Sequence, residues 1–104
     1  NCGVDDWGLG LLLDARRMLL RSYYELGEFK ALTSLLSSFS AYLRRQKDLG
    51  YHRELNLNLA RFSGRLMELP PGDKKGLEKL KEEIIKQDQI AEKAWLLDKI
   101  KAFI

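Results

Sequence analysis

The chain has 104 residues, of which 45% are hydrophobic and 32% charged, with a net charge of +3. This length fits one domain, and this composition excludes a disordered chain and favours one that folds around an apolar core. With Cys2 as its one cysteine, the chain cannot form an internal disulfide, which favours a reducing compartment, and we expect a cytoplasmic protein. No apolar run approaches the roughly 20 residues that a membrane-spanning helix needs.

The basic residues are unevenly distributed. All eight arginines lie at or before Arg65, and eight of the ten lysines follow it. The stretch from Asp14 to Arg65 contains ten basic and five acidic residues, whereas the stretch from Leu66 to the end contains eight basic and eight acidic residues. Positive charge therefore belongs to the first two-thirds of the chain, which bears on the partners that it could bind.

The first predicted helix runs from about Leu11 to Leu26, because apolar residues recur there at spacings of three and four. Gly8 and Gly10 weaken an earlier start. Two apolar stripes lie side by side on this helix, and we predict that the first packs on the next helix while the second needs another cover. The first stripe is Leu12, Ala15, Leu19, Tyr23 and Leu26, and the second is Leu13, Leu20 and Tyr24, with Leu9 as an upstream extension.

Gly27 ends the first helix, since glycine readily adopts the left-handed conformation that follows a helix. The second helix is predicted from about Glu28 to Lys47, and so short a joint favours an antiparallel pair. Its inward stripe is predicted to be Phe29, Leu32, Leu36, Phe39 and Leu43.

A third helix is predicted from about Tyr51 to Leu69, with Asn58 half-buried and hydrogen-bonded locally. Its inward stripe is predicted to be Tyr51, Leu55, Leu59, Phe62, Leu66 and Leu69. Pro70-Pro71-Gly72 interrupts the chain, because two prolines cannot continue a helix, and Asp73 is a suitable N-cap for a fourth.

The apolar pattern of the fourth helix, Leu77, Leu80 and Ile84, changes phase near 87–89. This break predicts a fifth helix from about Gln89, with one long bent helix as the alternative. The stripe predicted for the fifth helix is Ile90, Ala94, Leu97 and Ile100, with Trp95 pinning the helix to the core.

The sequence therefore predicts an all-α fold of about five helices in antiparallel up-down hairpins. We expect a single domain over 1–104. Within it, 1–10 form an N-terminal segment, 11–47 the first hairpin and 51–104 the remaining helices.

The run Tyr23-Tyr24-Glu25-Leu26-Gly27-Glu28-Phe29 resembles the centre of a tetratricopeptide repeat, with aromatic residues on both sides of a glycine turn. The resemblance covers roughly residues 12 to 45, but Arg16 and Leu20 stand where the family has its tryptophan and mid-helix glycine. The rest of the chain, including Trp95-Leu96-Leu97, is similar to a C-terminal helical segment that follows repeat arrays in some bacterial proteins.

In such repeats the first helix of each hairpin lines a groove that holds a peptide, and the resemblance implies that part of the first helix does so here. Arginine binds carboxylates through two parallel hydrogen bonds, which would suit an acidic peptide. The alternative is a solvated face on which Asp14 pairs with Arg17 and Arg21 with Glu25. The candidate peptide-binding residues are Asp14, Arg17, Arg21 and Tyr24, extended by Arg61 and Arg65.

No pattern in the sequence predicts catalysis, a cofactor or a metal site. His52 is the one histidine and lacks neighbouring ligands, so we expect it to face solvent. Ser37, Ser38 and Ser40 have no nearby base that could activate a hydroxyl.

The expected function is a non-catalytic helical scaffold that binds a protein or peptide, or that caps a repeat array. The partner would be an acidic peptide, preceding repeats of the same parent chain, or a second copy paired through the first helix. The alternative is a nucleic-acid-binding helical domain that uses the arginine-rich half, although no recognition motif is evident.

Overall fold

A computed structural model of the chain describes residues 2–103, and describes side chains over 10–103. Within residues 2–103 the fold is all-α, with five helices and no strand, as predicted. The helices are α1 (Cys2–Leu26), α2 (Phe29–Arg45), α3 (Tyr51–Glu68), α4 (Lys74–Lys86) and α5 (Lys93–Lys101). They fall into two compact units, residues 1–39 and 40–104, and the boundary lies inside α2. The single domain over 1–104 stays a prediction.

The first helix begins nine residues earlier than predicted, at Cys2. The predicted N-terminal segment 1–10 is therefore largely the start of α1. Gly8 and Gly10 do not end the helix, because an interior glycine costs only about 1 kcal/mol relative to alanine.

The α1–α2 joint is built around Gly27, whose φ of 71° is left-handed. The amide of Glu28 donates to the carbonyl oxygen of Tyr23 at 2.9 Å, and the Gly27 amide donates to that of Tyr24 at 3.1 Å. These two bonds form the Schellman motif, which satisfies carbonyls that a helix end leaves open. The predicted joint is confirmed.

Buried side chains in residues 1–39 come from both helices. Leu20 of α1 and Leu32 of α2 are fully buried, as is Phe39. Phe29 was predicted to lie in the core but is 46% exposed. It is the first residue of α2, and its ring meets Tyr24 edge-on at 5.8 Å between centroids. The aromatic pair therefore closes the turn instead of entering the core.

In residues 40–104, α3 contacts both α4 and α5, and α4 contacts α5. The predicted N-cap is confirmed, since the carboxylate of Asp73 accepts from the Gly76 amide at 2.9 Å. Tyr51 was predicted to face inward, but it is 63% exposed. The buried apolar side chains of this unit are Leu43, Leu49, Leu59, Ala60, Phe62, Leu66, Leu77, Leu80, Ile84, Ile90, Trp95, Leu96 and Ile100.

The chain between α4 and α5 is longer than predicted, and α5 starts at Lys93 instead of about Gln89. Contacts with α3 hold this connection: the Ala91 amide donates to the Leu55 carbonyl at 3.0 Å. Glu92 is left-handed, with a φ of 57°. Since the helix begins later, Trp95 and Leu96 face inward, as was predicted for Trp95.

The predicted α5 stripe was consequently wrong at two positions, because Ala94 is exposed and Leu97 only half-buried.

Candidate functional site

One side of α1 carries large apolar side chains that the described part of the chain leaves about half or more exposed to solvent. Their exposed fractions lie between 44% and 73%. At about 100° per residue they fall within roughly 120° of the helix circumference, with Ala15 and Ser22 along the middle. Both small residues are also exposed. We call this surface the α1 apolar face, and its large residues are Leu11, Leu12, Met18, Leu19 and Leu26.

The opposite stripe of α1 is the buried one. Leu13 is 3% exposed and Leu20 fully buried, whereas Leu12 and Leu19 of the stripe predicted to face inward are exposed. The assignment of the two stripes was therefore wrong. The stripe with Leu13 and Leu20, predicted to need another cover, is the buried one, and the stripe with Leu12 and Leu19, predicted to pack on α2, is exposed. Leu9, the predicted upstream extension of the second stripe, lies outside the described side chains.

A depression of about 580 Å³ lies over the C-terminal half of the α1 apolar face. Met18 and Leu26 form its apolar walls, Ser22 lies between them, and Arg21 and Glu25 add charged groups. An apolar side chain from another helix would lose contact with water there while the charged groups stay at the edge.

Of the α1 members of the predicted peptide-binding set, Asp14 and Arg21 lie at one margin of this face by helical spacing, whereas Arg17 and Tyr24 lie toward the opposite side of the helix. Arg17 donates to the carboxylate of Asp14, one of the two ion pairs that the sequence suggested as the alternative to peptide binding. Arg21 is exposed and Tyr24 half-buried. Burial raises the pKa of the Tyr24 hydroxyl, and the nearby charge of Glu25 adds to the rise. Tyr24 therefore stays neutral near pH 7, serving as an aromatic contact and not as an anion.

Arg61 and Arg65 belong to residues 40–104. The guanidinium of Arg61 lies 4.6 Å from the centre of the Phe62 ring, and that of Arg65 lies 5.7 Å from it. Arg65 also donates to the carboxylate of Glu83 on α4. Hydrogen bonding from Arg65 holds the pKa of Glu83 below its usual value, against a smaller opposing effect of desolvation. Arg65 thus links α3 to α4, and its role in binding stays a prediction.

A second concave region, of about 360 Å³, lies between the end of α2 and α3. Arg44 and Arg61 line it together with Glu54 and Asn58. The acidic and basic groups there balance in part, and the region is about two-thirds the size of the depression on α1.

The residues considered for metal binding and for catalysis lie on α3 and α2, respectively. His52 is exposed and stacks on Tyr51, with 4.2 Å between the ring centres. Ser37 and Ser38 are also exposed, and the Ser38 hydroxyl donates to the Leu35 carbonyl. Among the described residues no three acidic, histidine or cysteine side chains are grouped so as to hold a metal ion.

Three polar residues of α3 are buried, namely Asn56, Asn58 and Ser63, and of these only Asn58 was predicted from the sequence to be half-buried. Asn58 was predicted to bond locally, but its amide nitrogen donates to the carbonyl of Gln89, 31 residues away, at 2.8 Å. Asn56 bonds within its own helix, to the carbonyl of His52. The sequence carries no local signal for the contact between Asn58 and Gln89, because the two residues are 31 positions apart.

No family model, curated protein or solved structure matches this chain. In the part of the chain that the structure describes, none of the helices combines the length and apolar character needed to cross a bilayer.

Proposed function

We propose that this chain is a non-catalytic helical module that binds a protein or peptide partner through the α1 apolar face. The observation that carries the proposal is the exposure of five large apolar side chains on one side of a single helix. Contiguous apolar surface of this kind is uncommon on soluble monomers and marks interaction sites.

The partner best suited to this face is an amphipathic helix. Leu12, Ala15, Leu19, Ser22 and Leu26 follow each other at spacings of three and four, the spacing with which one helix packs along another. Covering such side chains stabilises a complex by about 25 cal/mol for each Å² of apolar surface removed from water. Charged residues at the margins, such as Asp14 and Arg21, would select among apolar partners.

Two further partner classes fit the same scaffold. A preceding helical hairpin of the same parent chain would cover the α1 apolar face if the chain caps a repeat array, because repeat units bury their faces against neighbours. An acidic peptide along Arg17 and Arg21 has less support, since Arg17 already pairs with Asp14.

Binding of nucleic acid through the arginine-rich half is the weaker alternative. Arg17 and Arg65 are in ion pairs, and Arg53 donates to the carbonyl of Leu43 at 2.9 Å. These contacts engage three of the eight arginines within the protein itself. We propose no catalytic role, because no residue pattern in the sequence predicts one, and His52, Ser37 and Ser38 are exposed.

Selection of displayed peptides tests the proposed function. A library of amphipathic 18-residue helices, about 27 Å long, is selected on the wild-type chain and on Ala15→Glu. Position 15 is exposed, so the substitution places a charge in the face without disturbing the core. Ser34→Glu, at an exposed position of α2, is the matched control.

We expect enriched peptides with apolar residues at spacings of three and four that bind wild type and Ser34→Glu but not Ala15→Glu. Raising the salt concentration should weaken the binding of such a peptide only slightly, because the complex depends on apolar contacts. Binding to the phosphates of a nucleic acid would weaken steeply with salt. Peptides that bind Ala15→Glu equally well, or the absence of any enrichment, would contradict the proposal.

A further inference from the structure

We propose that the partner of the α1 apolar face is a second copy of this chain, which packs its own α1 face against the first. This inference rests on the proposed function and names its partner.

The size of the face agrees with a dimer of modest affinity. Five side chains exposed by 44% to 73% present on the order of 500 Å² of apolar surface. Two such faces together would cover about 1,000 Å², the size at which a specific protein interface begins. A second α1 matches the length of this surface.

The shape of the α1 apolar face allows two copies of it to pack against each other. Ala15 and Ser22 form a low central line, with Met18 on one side and Leu19 and Leu26 on the other. A second helix can approach closely along such a line, and its own leucines then enter the spaces beside the small residues. The depression over Ser22 is one of these spaces.

The charges near the face permit two copies to meet. From Gly10 to Leu26, α1 carries Arg16, Arg17 and Arg21 against Asp14 and Glu25, so the net charge of this stretch is only +1. Asp14 and Arg21 lie at the same margin of the face by helical spacing. Mixed charges at the rim keep the repulsion between two identical surfaces small.

Sedimentation equilibrium of the whole chain tests the dimer, with a reducing agent present so that Cys2 cannot link two copies. Wild type is compared with Ala15→Glu, with Met18→Lys and with the control Ser34→Glu, from about 5 to 500 µM. Met18 is 69% exposed, so its replacement also leaves the core intact. Circular dichroism confirms that each variant keeps its helices.

We expect wild type and Ser34→Glu to form dimers with a dissociation constant of about 10–100 µM. Ala15→Glu and Met18→Lys should each weaken the dimer at least tenfold. A wild-type chain that stays monomeric at the highest concentration would overturn the inference, as would a dimer that neither face variant affects.

The two proposals fail separately. If the wild type is monomeric but its selected peptides lose binding in Ala15→Glu, the dimer proposal is contradicted and the proposed function stands. A monomeric wild type that also selects no peptides removes both.

Discussion

The side-chain amide of Asn58, in α3, donates a 2.8 Å hydrogen bond to the carbonyl oxygen of Gln89, in the connection between α4 and α5. Close by in sequence, the Ala91 amide donates to the carbonyl of Leu55. Lys93 adds bonds from its ammonium group to the carbonyls of Ile85 and Gln87. These hydrogen bonds hold the connection along its length. The path of the connection determines where α5 begins.

Asn58→Ala should loosen this connection. The buried asparagine loses its bond to Gln89, which costs about 1–2 kcal/mol of unfolding free energy. Hydrogen exchange of the Ala91 amide gives the local measurement, and its protection should fall. Ser37→Ala, at an exposed position, is the control and should leave the exchange of Ala91 unchanged. Equal protection of Ala91 in both variants would show that Asn58 does not hold the connection.

Phe39 and Phe29 should differ sharply when each is replaced by alanine. Phe39 is fully buried, so its truncation leaves a cavity and should cost about 3–5 kcal/mol. Phe29 is 46% exposed and should cost roughly 1 kcal/mol. Urea unfolding followed by circular dichroism measures both. Similar losses for the two variants would mean that Phe29 packs into the core, as its place in the stripe had suggested.

The carboxyl of Glu83 should titrate below the usual range for glutamate because of its bond from Arg65. A group with a lowered pKa in the folded state stabilises the fold above its ordinary pKa, and this contribution is lost as the pH falls through the lowered value. NMR titration of the Glu83 carboxyl carbon should show its midpoint rising in Arg65→Gln. Lys101→Gln, at an exposed site, is the control and should not move it. An unchanged midpoint in Arg65→Gln would exclude the ion pair as the cause.

Two glycine replacements in the first unit should have opposite effects. Gly27 has a left-handed backbone, so Gly27→Ala should cost about 1–2 kcal/mol. Gly10 lies inside α1 with nothing within 4 Å of an added Cβ, so Gly10→Ala should stabilise the chain by about 0.5–1 kcal/mol. Thermal unfolding measures both, and a stabilising Gly27→Ala would contradict the observed turn.

The sequence identified most helices and joints because these depend on local residues. Gly27, Pro70 and Asp73 each act through the backbone beside them, and each was found where the turn or cap lies. The start of α5 was misjudged because it depends on Asn58 and Leu55, which are more than 30 residues away in the chain.

Which apolar stripe of α1 is buried could not be predicted for a different reason. Leu19 and Leu20 are equally apolar and adjacent, so helical periodicity detects both stripes but does not tell which one is covered. The choice depends on where neighbouring helices lie. The sequence therefore shows that α1 has more apolar residues than one buried stripe needs, but it does not show which of them form the exposed α1 apolar face.

Solvent relaxation of leucine methyl groups is the most direct test of the α1 apolar face. A soluble gadolinium chelate broadens methyl signals that water can reach, and the measurement is made at about 5 µM, below the range in which we expect dimers. We expect strong broadening of Leu19 and Leu26 and weak broadening of Leu20 and Leu32, and we expect Leu19 and Leu26 to become protected as the concentration rises. Leu19 protected as well as Leu20 in the dilute chain would contradict it, because the face would then be internal and no partner could bind there.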